Sequence, residues 1–338
     1  MTAKMDMKTL VWYGAAGVAF LMFLPVLLPF LIPVFGLLIV LYMKRPDLLL
    51  IGGSELAMWK MGFRKRYRIT GGYTYCYAER GQANPDKPTL LLLHGFSAAR
   101  DLWWPLSIRI PKEFHLICLD LPGHGNTTRN MQDSFTYEAQ AQRVHHFVKV
   151  MGLNRRPLHV IGISMGGGVA GLYAANFPKS LTKLSLLCPA GIKTEKVSDY
   201  DAHTQTNGYL PELPDSVEEY ADVLPYFSYR LRHTKLPKQY WRGVQLLRTK
   251  DNPFYKKVLE HMMSNEAVDS LRENMAKITV PTQVIWGVHD RVLHPSTADI
   301  LKEGIRNVEV HMLEHCGHVF ISERPYKSAN LLIKFAES

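Results

Sequence analysis

Gly162-Ile163-Ser164-Met165-Gly166 sets one hydroxyl between glycines directly after the apolar run PLHVI, and Gly167 and Gly168 follow. Residues without side chains suit a tight turn from strand into helix, where a neighbouring Cβ would clash and the serine oxygen is lifted clear of the sheet. A helix starting there aims backbone N–H groups at that oxygen and favours negative charge on it. The plain alternative is a serine that caps a helix. A serine hydroxyl is a weak nucleophile and needs a base that is itself oriented by an acid. WGVHDRV (286–292) ends an apolar run with Asp290, and EHCGH (314–318) ends the next one with His318. Each of the three stands at the C-terminal end of a strand-like run, where an open parallel sheet gathers its active site. His318 is preferred to His315 because it follows Gly317 at the apex of its loop, while His289 and His294 flank the acid and are poorly placed as bases.

A developing oxyanion needs donors. The Met165 N–H, immediately after the serine, supplies one, and the loop HGFSA (94–98) supplies a second, assigned to the Phe96 N–H. Losing one such donor costs about 3–4 kcal/mol of transition-state stabilisation. His94 and Gly95 shape this loop. His315, Cys316 and His318 are neighbours in sequence, but no second cluster of ligands accompanies them, so no metal is expected.

These residues need a scaffold. Short apolar runs ending in loops recur at 89–98, 114–125, 157–167, 181–191, 281–290 and 308–318. Continuous apolar strands imply burial on both faces, hence a largely parallel sheet covered by helices, an α/β architecture. YEAQAQRVHHFVKVM predicts a helix with Ala141, Val144, Phe147, Val148 and Met151 on its buried face. The stretch 192–278 is too long for a simple connection and reads as an inserted helical cap. Helices are expected at SVEEYADVLPYF, capped by Ser216, and at NPFYKKVLEHMM. Tyr220, Leu224, Tyr226, Phe227 and Tyr229 of the cap are candidates for an acyl-chain pocket, or they simply pack the cap onto the core.

No charged residue occurs from Thr9 to Met43. As a straight helix that run reaches about 50 Å, beyond a hydrocarbon core of ~30 Å. Pro25, Pro29 and Pro33 predict a kinked single span, with a re-entrant hairpin as the alternative. The run is too long for the apolar part of a secretory signal peptide and lacks a cleavage-like end. The net charge of +10 is concentrated in KMGFRKRYR (60–68), just beyond the apolar run. That position favours anionic lipid headgroups over nucleic acid, for which no recognition motif is present. The basic excess after the span predicts a single-pass protein with its catalytic domain on the cytoplasmic side. Four scattered cysteines, Cys76, Cys118, Cys188 and Cys316, agree with a reducing compartment and free thiols. The expected divisions are an anchor (1–45), a first core segment (46–191) including the basic stretch, the cap (192–278) and a second core segment (279–338).

LLLLHGFSAARDLW, DLPGHGNTTR, GISMGG, CPAGI, VPTQVIWGVHDRVL and CGHVFISERP together resemble the α/β-hydrolase family over residues 65–338. With the N-terminal span they are similar to the membrane-anchored monoacylglycerol lipases of the α/β-hydrolase-domain proteins. The resemblance implies an α/β-hydrolase fold and hydrolysis of lipid monoesters by Ser164, Asp290 and His318, without metal or cofactor. SMGG and WGxxD also occur in bacterial ester and carbon–carbon bond hydrolases, so a lysophospholipase or general carboxylesterase is the alternative, and a membrane scaffold retaining the fold is a third reading. Acyltransferring members carry H-x4-D from the catalytic histidine, whereas here Glu323 follows His318 by five. A second such spacing, His115 to Asp120, is read as structural. Serine at the elbow argues against epoxide hydrolases and dehalogenases, which place aspartate there.

Overall fold

The computed structural model describes residues 7–200, 202–203 and 210–338. Helix α1 (Met7–Lys44) runs through Pro25, Pro29 and Pro33 without interruption, so the chain does not double back as a hairpin would. Its Val26–Lys44 portion has a mean hydropathy of 2.6 and none of it is buried. Among the described residues this is the one helix long and apolar enough to cross a membrane. A single residue, Arg45, separates it from α2 (Pro46–Lys60), whose proline at the first turn suits a helix start.

The basic stretch 60–68 is more than a charged patch. It holds the end of α2 and most of strand β1 (Arg64–Thr70), which pairs antiparallel with β2 (Tyr73–Arg80) across Gly71 and Gly72. Both glycines have positive φ, 57° and 79°, as a tight hairpin turn requires. This hairpin was not expected from sequence, because RKRYRI lies on a sheet edge with both faces exposed and shows no apolar alternation. Charge on an edge strand also discourages pairing with another chain.

The six apolar runs form β3 (Thr89–Leu93), β4 (Leu116–Leu119), β5 (Leu158–Ile163), β6 (Lys183–Leu187), β7 (Thr282–Gly287) and β8 (Val308–Leu313). The eight strands lie in the order β1-β2-β4-β3-β5-β6-β7-β8, and every pairing from β4 to β8 is parallel. Leu90 to Leu93 are wholly buried, as central parallel strands covered on both faces must be. The short α3 (Trp104–Ser107) follows the loop after β3. Helix α4 (Tyr137–Val150) buries Ala141, Val144, Phe147 and Val148, with Met151 partly buried beyond its end, and the Thr136 hydroxyl caps it. Helix α5 (Met165–Asn176) packs on β5 and β6 and is buried along almost its whole length.

The stretch expected as a cap contains α6 (Val217–Phe227), α7 (Lys238–Arg248) and α8 (Asn252–Met262), whose Phe254, Tyr255, Val258 and Met262 join the core. Ser216 caps α6 by accepting the Glu219 N–H at 3.1 Å. Helix α9 (Ser270–Asn274) falls within 192–278 yet belongs to the core: Leu271 is fully buried against Gly171 and Gly191. Helix α2 joins the core through buried Met58 and also packs on α7. The chain closes with α10 (Thr297–Gly304), α11 (Phe320–Glu323) and α12 (Pro325–Glu337).

Candidate active site

Ser164 sits between β5 and α5 with φ 56° and ψ −121°, a strained conformation for a residue with a side chain. The glycines around it have a physical reason. A Cβ on Gly162 would overlap the Gly166 carbonyl, and one on Gly166 would overlap the Leu93 and His94 carbonyls. Ser164 keeps partial exposure while Met165 and the helix behind it are buried. Among the described residues the non-glycine positions with positive φ are Ser97, Ser164, Cys188 and His315. All four belong to loops at the C-terminal edge of the sheet, so backbone strain is concentrated where the sequence places the chemistry.

His318 and Asp290 meet directly. The His318 Nδ1–H donates to Asp290 Oδ2 at 2.8 Å, and both residues are buried. Asp290 Oδ1 accepts the Val292 and Leu293 N–H groups at 2.9 and 3.1 Å, which fixes the carboxylate. With Nδ1 committed, Nε2 is the nitrogen left to act as a base. Burial opposes charge on this imidazole, but the Asp290 carboxylate overcomes it and holds the His318 pKa well above its ordinary value. Cys188 ties the pair to the elbow: its thiol reaches the His318 carbonyl at 3.5 Å and lies within reach of the Ser164 backbone amide. Burial pushes that thiol's own pKa up, so it is a neutral packing group. Cys188, Asp290 and His318 offer ligand-type atoms within 4.8 Å of one another. The Asp290–His318 hydrogen bond already occupies two of those atoms, which makes the cluster an acid–base pair with a buried neighbour.

The loop after β3 approaches the serine closely. A Cβ on Gly95 would stand 3.3 Å from Ser164 Cβ and 3.8 Å from its Oγ. His94 is wholly buried; its Nδ1–H donates to the Gly95 carbonyl at 2.7 Å and its Nε2 accepts the Leu121 N–H at 3.0 Å. Burial lowers its pKa, in keeping with a neutral ring that shapes the loop. The Phe96 ring is held edge-on by Tyr255 at 5.6 Å and His124 at 6.2 Å. The cap candidates divide. Phe227 lies with its ring 6.0 Å from that of His318. Tyr220 is buried in the cap with its hydroxyl 3.5 Å from that of Thr249, and Leu224 is half-buried. Tyr229 stacks on His289 at 4.2 Å and lines a cavity of about 520 Å³ beside Asp290, together with Arg232, Arg291 and His294; Ser164 does not line it.

Glu323 is the residue that sequence reasoning undervalued. Its buried carboxylate accepts the Gly317 N–H at 2.6 Å through Oε2, and the Ser228 hydroxyl at 2.6 Å and Arg230 N–H at 2.7 Å through Oε1. It therefore fastens the His318 loop to the turn after α6. The available signal was its position five residues after His318. His115 and Asp120 are separate structural groups, as expected: His115 bonds Thr89 and Glu79, and Asp120 bonds Arg100 and Asn126.

A family model described as the alpha/beta hydrolase fold matches residues 88–325. The chain belongs to the α/β-hydrolase fold family. It is 41% identical over 285 residues to the monoacylglycerol lipase ABHD6 of Rattus norvegicus, covering 82% of this chain and 83% of that one. The human protein of the same name is 40% identical over an equal length. Among solved structures, a bacterial membrane phospholipase A aligns with a TM-score of 0.79 and 28% identity, over 91% of this chain and 96% of that one. The strand order and the strand–turn–helix around Ser164 are those of this family.

Proposed function

We propose that the protein is a membrane-anchored serine hydrolase that cleaves monoacylglycerols to fatty acid and glycerol. The observation that carries the reading is the Asp290–His318 pair beside the strained Ser164 elbow. The substrate class follows from the names of relatives about 40% identical over most of their length.

In this reading His318 Nε2 accepts the Ser164 proton as Oγ attacks the ester carbonyl, giving a tetrahedral intermediate. The Phe96 and Met165 N–H groups hold the oxyanion. Asp290 stabilises the imidazolium through Nδ1. As the carbonyl re-forms, the ester C–O bond breaks and His318 returns the proton to the departing glycerol oxygen. Water, deprotonated by His318, then attacks the acyl-Ser164 ester and releases the fatty acid. Helix α1 keeps the domain on the membrane where such substrates dissolve. The basic excess after α1 supports a cytoplasmic orientation. Exposed Arg64 and Arg68 suit anionic headgroups, worth about 1 kcal/mol each, while Lys65 and Arg66 are paired with Glu55 and Glu79. Phe227, by its closeness to His318, is the best supported of the acyl-pocket residues, with Tyr220 and Leu224 deeper in the cap.

Ser164→Ala should abolish labelling by a fluorophosphonate probe in a protein that still unfolds cooperatively; persistent labelling would remove Ser164 from the reaction. A panel of a long-chain monoacylglycerol, a lysophospholipid and a short nitrophenyl ester should give the highest kcat/KM for the first. The similarity to a membrane phospholipase A favours one second reading, a lysophospholipase, which a preference for the lysophospholipid would establish.

A further inference from the structure

The turn that presents the Phe96 amide is held from outside, and what holds it leads back to the membrane helix. Gly95 to Ala98 form a four-residue turn closed by the Ala98 N–H on the Gly95 carbonyl at 3.3 Å. Phe96 and Ser97 are its central residues, and Ser97 has φ 53°. A positive φ at that corner favours glycine, so a serine there relaxes unless something fixes it. Arg248, the last residue of α7, does so: its Nη2 donates to the Ser97 carbonyl at 2.7 Å. A guanidinium bond to a carbonyl is among the stronger hydrogen bonds available to a loop. Arg248 forms no ion pair among the described residues, and the nearby Asp251 is taken by Arg129 at 2.6 Å.

The other part of α7 is seated on the junction of α1 and α2. Arg242 Nη1 donates to the Met43 carbonyl at 3.1 Å, satisfying a group at the open end of α1. Gly243 lets the two helices touch, since a Cβ there would stand 2.8 Å from Leu50 Cδ1 and 3.1 Å from the Pro46 carbonyl carbon. Six residues of helix separate the two arginines, roughly 9 Å along the axis. A parallel link leads the same way. Arg100 closes the Phe96 loop on Asp120 through its N–H at 2.6 Å and Nη1 at 2.8 Å, and its Nη2 bonds Glu55 of α2.

We infer that Arg248 is a positioning residue for the Phe96 turn, and that α7 is a strut fixing this turn relative to the end of the membrane helix. The inference rests on the assignment of the Phe96 amide as an oxyanion donor. A turn whose register is set by Arg248 loses its aim when the hydrogen bond is removed, while the surface that binds substrate is unchanged.

The test uses the full chain in detergent micelles, with Arg248→Met, Arg248→Lys and Arg242→Met. Arg248→Met should lose roughly ten- to a hundredfold in kcat on a long-chain monoacylglycerol, as weakening an oxyanion donor does. KM should stay within about twofold, because a contact realised only in the transition state moves kcat alone. The second-order rate of fluorophosphonate labelling should fall in parallel, and Arg248→Lys should regain part of both losses. Arg242→Met should show a smaller loss of the same kind. An unchanged kcat in Arg248→Met, or a loss confined to KM, would overturn the positioning role. An unchanged Arg242→Met would overturn the link to the membrane helix. Loss of Ser164 labelling in the unsubstituted protein would instead refute the proposed reaction, which Ser164→Ala reads separately.

Discussion

His318 must be neutral to accept a proton, so the position of its titration sets the acidic limb of activity. The Asp290 carboxylate holds its pKa well above the ordinary 6.5 against the effect of burial. At a given pH more of the imidazole is therefore protonated, and the limb moves to higher pH. The kcat/KM profile should rise through a midpoint above 6.5, and a midpoint at or below that value would show that burial wins. The placement of Ser164, Asp290 and His318 at the C-terminal ends of strands was legible in the sequence because each stands in a short motif there. Cys188 and Glu323 were not. Their importance lies in which groups they meet: the five-residue spacing from His318 marked Glu323's position but not its partners at Ser228 and Arg230, and Cys188 carries no spacing signal at all.

At the scale of elements, the glycines of the elbow make the sharpest expectation. Gly162→Ala forces a Cβ into the Gly166 carbonyl, backbone against backbone, with no flexible side chain to yield. Loss of about 3 kcal/mol of stability is expected, read by denaturant unfolding, along with loss of labelling. Wild-type-like stability would mean that the turn relaxes without cost. Five of the six strands, β3 to β7, could be read in advance because burial on both faces leaves a nearly continuous apolar run, whereas the edge strand β8 buries only Leu313 and carries the alternation Val308, Val310, Met312. β1 could not, since an exposed edge strand of alternating Arg, Lys and Tyr carries no such mark. α2 was missed for a related reason: the helix it packs on, α7, begins 178 residues after α2 ends, and only the folded chain brings Gly243 against Leu50.

For the molecule as a whole, α1 and the exposed Leu48, Ile51, Leu56 and Trp59 of α2 place two kinds of apolar surface at one end. Removing residues 1–45 should take away the span while leaving α2 and the basic edge. The shortened chain should then leave membranes with high salt instead of detergent, as measured by fractionation. A continued need for detergent would show that α2 suffices as an anchor. The same deletion removes Met43, so the shortened chain should also show the reduced kcat of Arg242→Met.

Glu323 grips the catalytic-histidine loop with one oxygen and the turn following α6 with the other. A doorway hinged at that turn would drag the proton acceptor with it, so swinging open and catalysing are mutually exclusive there. In the proposed reaction, a fatty chain would accordingly pass a fixed doorpost at Glu323.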